Sequence, residues 1–204
     1  MKITLTQFVT LDGVFQAPGA PEEDASSGFP HGGWSVPFGD DDFGAFVTEN
    51  FERADAFLLG RGTYEIFAGY WPKVSGDIVS DKLNALPKYV ASTTLKSADW
   101  NNSHLIGAED LAKDVTALKE QDGRELQLHG SGNLAQSLFQ HDLIDTVHLM
   151  TFPVVLGSGK RLFAEGGLPT AFKLAQSRTT STGVVISTYE LNGRPEYGSY
   201  SLDQ

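Results

Sequence analysis

Leu126-Gln127-Leu128-His129-Gly130-Ser131-Gly132-Asn133-Leu134 joins an apolar strand pattern to a helical one through a glycine pair. The glycines let backbone approach a ligand closely, and the first N–H groups of a helix have no internal acceptor. That end also carries the positive pole of the helix dipole, which suits a phosphate or pyrophosphate. A second junction of the same kind is Ala54-Asp55-Ala56-Phe57-Leu58-Leu59 running into Gly60-Arg61-Gly62-Thr63-Tyr64-Glu65, where Arg61 puts a cation at a strand end. A third is Tyr89-Val90-Ala91 ending in Ser92-Thr93-Thr94. Together the three turns can divide a dinucleotide. The helix after Gly132 takes the pyrophosphate, and the fork of Arg61 takes an adenosine phosphate with the hydroxyls of Ser92 and Thr93 beside it. Neither Gly-x-Gly-x-x-Gly with an acid about 20 residues on nor a Walker pattern is present.

Other residues admit two readings each. Asp40-Asp41-Asp42 either supplies a substrate-binding carboxylate or caps a helix, where first-turn acids gain about 0.3–1 kcal/mol apiece. Asp12 either orients a proton-relaying water or is the turn residue of an Asp-Gly pair. Trp34, Phe38, Phe43 and Phe46 either line a flat apolar pocket or pack a core. His129 ends a strand beside the glycine turn and His148 lies in an apolar strand, both more in keeping with structural histidines than with ligands. His31, His104 and His141 lack metal-ligand spacing, so no metal is expected. Lys160-Arg161 either meets an anionic ligand or belongs to a solvated loop.

The elements that must position these residues follow from the pattern. Strands are expected at about 2–10, 55–59, 89–91, 105–106, 125–129 and 144–152, with helices opened by Asp40-Asp41-Asp42 and near 63–69, 80–86, 109–120 and 133–140. Segments 172–180 and 184–191 read as a closing hairpin around Ser181-Thr182-Gly183. Alternating strands and helices with a terminal hairpin predict an α/β architecture, mostly parallel with an antiparallel C-terminal edge. In such sheets ligands lie at the carboxyl ends of the strands, where all three turns fall. The long segment 17–33 is expected to be a functional lid or a disordered insertion, and the tail from 193 to 204 a loosely held polar one.

The 204 residues read as one domain, 1–204, with 40% hydrophobic and 20% charged residues. There is no cysteine, which rules out disulfides and zinc-thiolate sites. The net charge of −11 opposes binding to a nucleic-acid backbone and repels an anionic cofactor unless local donors override it. The N-terminus runs directly into a strand pattern, with no signal-peptide regions and no membrane span, so the expected location is the cytoplasm.

Several of these motifs carry a family resemblance. Leu59-Gly60-Arg61-Gly62-Thr63-Tyr64-Glu65 is similar to the cofactor loop of dihydrofolate reductases, and Gly130-Ser131-Gly132-Asn133-Leu134 to their pyrophosphate turn. Thr10-Leu11-Asp12-Gly13 resembles the Ser-Leu-Asp-Gly that ends the first strand in the reductase domain of bacterial riboflavin biosynthesis. Leu143-Ile144-Asp145 and the run from Phe152-Pro153-Val154-Val155-Leu156 through Gly157-Ser158-Gly159-Lys160-Arg161-Leu162-Phe163 also look like that branch. The resemblance covers roughly residues 2–191.

It implies a dihydrofolate reductase-like fold with a sheet of about eight strands flanked by helices, an NADPH cleft, and hydride transfer to a small heterocyclic or carbonyl substrate, often in a homodimer. Carried over residue by residue, it puts Gly60, Arg61 and Thr63 in the cofactor loop and Ser92 and Thr93 at the adenosine phosphate. Gly130, Ser131, Gly132, Asn133 and Leu134 fall at the pyrophosphate. Asp12, the candidate catalytic residue, falls with Gly13 and Val14 where the first strand meets the nicotinamide.

There are departures. Trp34-Ser35-Val36-Pro37 matches the segment before the first helix, but Phe38-Gly39 stands where a pterin-holding acid is expected. Segment 17–33 exceeds the family's short mobile loop. The zinc deaminase domain that usually accompanies the riboflavin enzyme has no counterpart in this cysteine-free sequence. A module that binds NADP(H) without catalysis is the alternative reading.

Overall fold

Alternation along β1 (Lys2–Thr10) divides the molecule into two layers. Ile3, Leu5 and Val9 point to one face and join Ala56, Leu58, Leu126 and Leu128 in a buried core. Thr4, Thr6 and Phe8 point to the other. The computed structural model describes residues 1–107, 110–163 and 165–200.

After β1 come α1 (Asp41–Glu52), β2 (Ala54–Gly60), α2 (Arg61–Tyr70), α3 (Ile78–Ala85), β3 (Lys88–Ala91) and β4 (Ser103–Ile106). Then follow α4 (Leu111–Lys119), β5 (Glu125–His129), α5 (Gly132–Phe139), β6 (Thr146–Phe152), β7 (Phe172–Thr179) and β8 (Val185–Leu191). The eight strands are ordered β4-β3-β2-β5-β1-β6-β8-β7. Every pair from β4 to β6 is parallel, and β8 runs antiparallel to both β6 and β7. The mostly parallel sheet with its antiparallel hairpin therefore stands as expected.

Element boundaries move by small, explicable amounts. Helix α2 begins at Arg61 because extended Gly60 is its N-cap, two residues before the apolar pattern starts. Helix α3 begins at Ile78 because the Asp77 side chain accepts from the Ser80 amide. Of the helix expected over 109–120, residue 109 lies outside the described residues, as do residues 201–204 of the tail. Among the described residues no helix is long and apolar enough to cross a membrane.

Segment 17–33 is a packed strap. Gln16 Nε2 donates to the carbonyls of Asp24 (3.0 Å) and Ser26 (3.1 Å), and its Oε1 accepts from the Lys160 amide. Trp34 Nε1 donates to the Gln16 carbonyl at 2.7 Å, while Lys160 pairs with Asp24 at 2.6 Å. Phe29 buries its ring among Val14, Ala17 and Trp34. Gln16 satisfies backbone groups that a bare loop would leave to water.

Asp40 caps α1 through the Phe43 amide and also clasps the β7–β8 turn through Ser181 and Thr182. This is the capping reading of the acidic triplet, extended by a tie to the hairpin.

Under α1 the sheet carries a buried polar network. Asn50 Nδ2 donates to Thr6 Oγ1, and Gln127 Nε2 donates to the Asn50 carbonyl and to Glu125. Arg53 bonds Glu125 at 2.8 Å and meets His148 Nε2 at 3.3 Å. Arg53 can only donate, so that nitrogen is the acceptor and Nδ1–H of His148 donates to Thr188 Oγ1. His129 stacks on Phe51, centroids 4.9 Å apart, and donates from Nε2 to Gln127 Oε1. Both histidines are structural in this network. Burial lowers them to about 3 for His129 and, with the nearby Arg53 charge, to about 4 for His148.

These rings stay neutral while an unfolded chain takes up protons below its ordinary value of about 6.5. Stability is therefore fully present above that pH and falls as pH drops toward 4. We expect Tm to decline between pH 7 and 4.5, and the double replacement His129→Gln, His148→Gln to flatten that decline. Thermal unfolding across this window checks it, and an unchanged slope in the variant contradicts it.

Candidate functional site

Five adjacent strands end along one edge of the sheet: β3 at Ala91, β2 at Gly60, β5 at His129, β1 at Thr10 and β6 at Phe152. Register places Gly60 beside Ala91, His129 beside Thr6, and Thr10 beside Phe152. The Ser92, Arg61 and Gly130 turns therefore leave the sheet side by side, with Asp12 next along the same edge.

The glycine-rich turns after β2 and β5 are joined directly. The Gly60 amide donates to Ser131 Oγ at 3.0 Å. Thr63 Oγ1 accepts from Ser131 Oγ at 2.9 Å and from the Ser131 amide at 3.1 Å. Ser131 has φ +55, a left-handed conformation costing a non-glycine residue of order 1–3 kcal/mol. Gly130, at φ +54, precedes it and donates its amide to the Thr6 carbonyl at 3.3 Å. The chain thus turns sharply before α5. Helix geometry leaves the amides of Gly132, Asn133 and Leu134 without intrahelical acceptors.

Arg61 starts α2 with its side chain half exposed, and its nearest carboxylate is Glu65 at 3.7 Å. Most of its donor fork remains free for a phosphate. Ser92 Oγ accepts the amides of Thr94 (3.1 Å) and Leu95 (3.0 Å), which fixes the turn and leaves its own proton to donate. Thr93 and Asn133 are exposed. The donor set suits a phosphorylated dinucleotide: a cation and hydroxyls at one turn, helix-end amides at the next.

Gly132 has another neighbour. A Cβ built there lies 2.2 Å from Phe15 Cζ, so the space above this glycine holds a ring of the chain itself. Its missing side chain is explained by Phe15, a contact invisible without knowing where the β1 loop folds.

Asp12 is heavily engaged. Oδ1 accepts from Thr10 Oγ1 at 2.6 Å and from the Leu156 amide; Oδ2 accepts from the Gly157 amide at 2.9 Å and pairs with Arg161 at 3.3 Å. These bonds, Thr10's first, hold the carboxyl at about 2. It is thus ionised at neutral pH; it bonds within its own turn, through Thr10, and also clasps the end of β1 to the loop after β6. Lys160 and Arg161, half exposed, are both ion-paired.

The aromatic residues divide. Phe152, 1% exposed, is surrounded by Trp34 (5.2 Å between centroids), Phe8 (5.4 Å), Phe38 (5.9 Å) and Phe43 (6.1 Å). Phe46 turns away to His148 at 5.3 Å. Phe8 and Phe152 were not legible as site residues from sequence, although Phe8 shares the face of Thr6 and Thr10 along β1. Among the described residues no cluster of three or more His, Asp or Glu could hold a metal.

Comparison with known proteins bears on this arrangement. The model of the RibD C-terminal domain matches residues 1–186. The chain is 29% identical over 196 residues to YyaP of Bacillus subtilis (strain 168), covering 94% of this chain and 96% of that one. A solved protein from Shewanella sp. PV-4, assigned to riboflavin biosynthesis, superposes with a TM-score of 0.65 at 21% identity, covering 94% of this chain and 99% of that one. A pyrimidine reductase-like protein from Corynebacterium diphtheriae gives 0.62 at 14%, covering 94% and 92%. A Thermotoga maritima deaminase/reductase gives 0.59 at 15%, covering 94% of this chain and 56% of that one. These neighbours share the dihydrofolate reductase-like fold.

The Phe15–Gly132 contact yields a direct test. Gly132→Ala should destabilise by about 1–3 kcal/mol through overpacking. In a Phe15→Ala background the same change should be neutral or stabilising, since a helical alanine is otherwise favoured over glycine. Thermal denaturation of the four-member cycle checks this, and equal losses in both backgrounds contradict it.

Proposed function

The chain belongs to the RibD C-terminal domain family, and from that premise we propose that it is an NADPH-dependent reductase acting on a small heterocyclic or carbonyl substrate. The observation that carries the reading is the Gly60–Ser131–Thr63 junction, which holds the Arg61 turn and the α5 amides in one place. When bound, NADPH supplies the hydride. Arg61, Ser92 and Thr93 would take its adenosine phosphate, while Gly130, Ser131, Gly132, Asn133 and Leu134 frame the pyrophosphate. Gly60 and Thr63 hold these two groups in register.

Asp12 is assigned a positioning role, fixing the β1 end and the loop after β6 against each other. Catalysis then rests on orientation, since the cofactor brings the chemistry. A cytoplasmic homodimer in a single domain completes the reading. A second reading, a module that binds NADP(H) without turnover, is favoured by the engagement of both Asp12 and Asp40. NADPH consumption across pteridines, pyrimidines, quinones and aldehydes separates the two.

A charge-assisted hydrogen bond contributes about 1.5–3 kcal/mol. Arg61→Ala should therefore weaken NADPH by about ten- to a hundredfold and NADH far less. Titration of both cofactors followed by tryptophan fluorescence measures this. Equal losses for the two would refute the phosphate role of Arg61.

A further inference from the structure

Resting on that reductase reading, we propose that the substrate side of the edge receives an uncharged planar ring that carries no phosphate or carboxylate. The wall at the ends of β1 and β6 is aromatic: Phe8, Phe38 and Phe43 stay partly open around buried Phe152, with Trp34 closing the cluster. Apolar side chains continue outward from it. Leu11, bonded through its amide to the Val154 carbonyl, is 64% exposed, and Val155 and Val36 are 67% and 63% exposed. Flat, offset or edge-on ring contacts of this kind select by shape and apolar area.

Charge is accounted for on the same side. The carboxylates of Asp40 and Asp12 are both engaged by the chain itself, while Asp41 and Asp42 lie exposed on the first turn of α1. Asp40 accepts from the Phe43 and Thr182 amides and from the hydroxyls of Ser181 and Thr182. Asp12 accepts from Thr10, Leu156, Gly157 and Arg161. Each nearby cation that could take an anionic substituent is also paired, Lys160 with Asp24 at 2.6 Å and Arg161 with Asp12 at 3.3 Å. An anionic group here would compete with Asp24 or Asp12 for these cations, and the net charge of −11 opposes its approach. Phe38-Gly39, which stands where the family resemblance leads one to expect a pterin-holding acid, offers no carboxylate.

Reducing such a ring takes the hydride and one proton. Asp12 and Asp40, each bonded by amide and hydroxyl donors and lowered to about 2, are ionised at neutral pH and do not supply it, and the proposal takes that proton from solvent water.

The probes are 1,4-naphthoquinone and its 2-sulfonate, matched in ring and differing in charge; the absence of cysteine removes thiol addition as a complication. Isothermal titration of each into the NADP⁺-loaded protein should show the neutral ring binding at least tenfold more tightly. Binding should quench Trp34, and Trp34→Phe should remove that component of the signal. Phe38→Lys should narrow or invert the preference by giving the sulfonate a cation. No binding of the neutral ring, or equal or tighter binding of the sulfonate, overturns the inference. A separate NADP⁺ titration keeps the arms distinct: its failure defeats the reductase reading, whereas NADP⁺ binding with the wrong ring preference defeats only this inference.

Discussion

Ser131 occupies a backbone conformation that L-residues avoid, and the contacts that hold it there come from a different part of the chain. Its hydroxyl receives the Gly60 amide while its own amide and hydroxyl both reach Thr63. Three neutral hydrogen bonds of about 0.5–1.5 kcal/mol each are enough to offset the cost of one left-handed residue. This coupling makes the start of α2 and the start of α5 a single unit. Arg61 and the free amides of α5 then share a rigid frame, so one extended phosphorylated ligand can be met at both points without ordering a loop.

The two faces of the sheet do different work beneath that edge. The α4–α5 face is largely apolar, with Leu5, Leu126, Leu128 and Leu138 fully buried and Gln7 of β1 a buried polar exception. The α1 face carries the hydrogen-bonded set of Thr6, Asn50, Gln127, His129 and His148 and then, nearer the edge, the aromatic cluster around Phe152. Buried polar groups of this kind are tolerated because nearly every donor and acceptor is met. Asp12 and Asp40 extend the same logic outward by fastening loops to the ends of β1 and α1.

Much of this architecture was legible in the residues. Alternation in 2–10, the apolar run 54–59 and the Asp-capped start of α1 specify their elements locally, and the three polar turns fall at strand ends by construction. Contacts between distant segments were not legible. Nothing near Gly132 announces Phe15, and nothing near Asp12 announces the amides of Leu156 and Gly157. The Asp-Gly pair reads as an ordinary turn, and only tertiary structure turns its carboxylate into a clasp. Segment 17–33 reads as open-ended because its Gly, Pro and acidic composition does not reveal which side chains, Gln16, Glu23 and Ser35 among them, satisfy its backbone. Phe46 illustrates the limit of periodicity: it shares a helix with Phe43 but packs on His148.

Two turns about seventy residues apart are proposed to form one dinucleotide cradle. A crystal structure of the chain grown with NADP⁺ tests it most directly. The adenosine phosphate is expected within hydrogen-bonding distance of Arg61 and the pyrophosphate at the amides of Gly132 and Asn133, with the Ser131–Thr63 contact intact. A dinucleotide bound elsewhere, or reaching only one of the two turns, would contradict it.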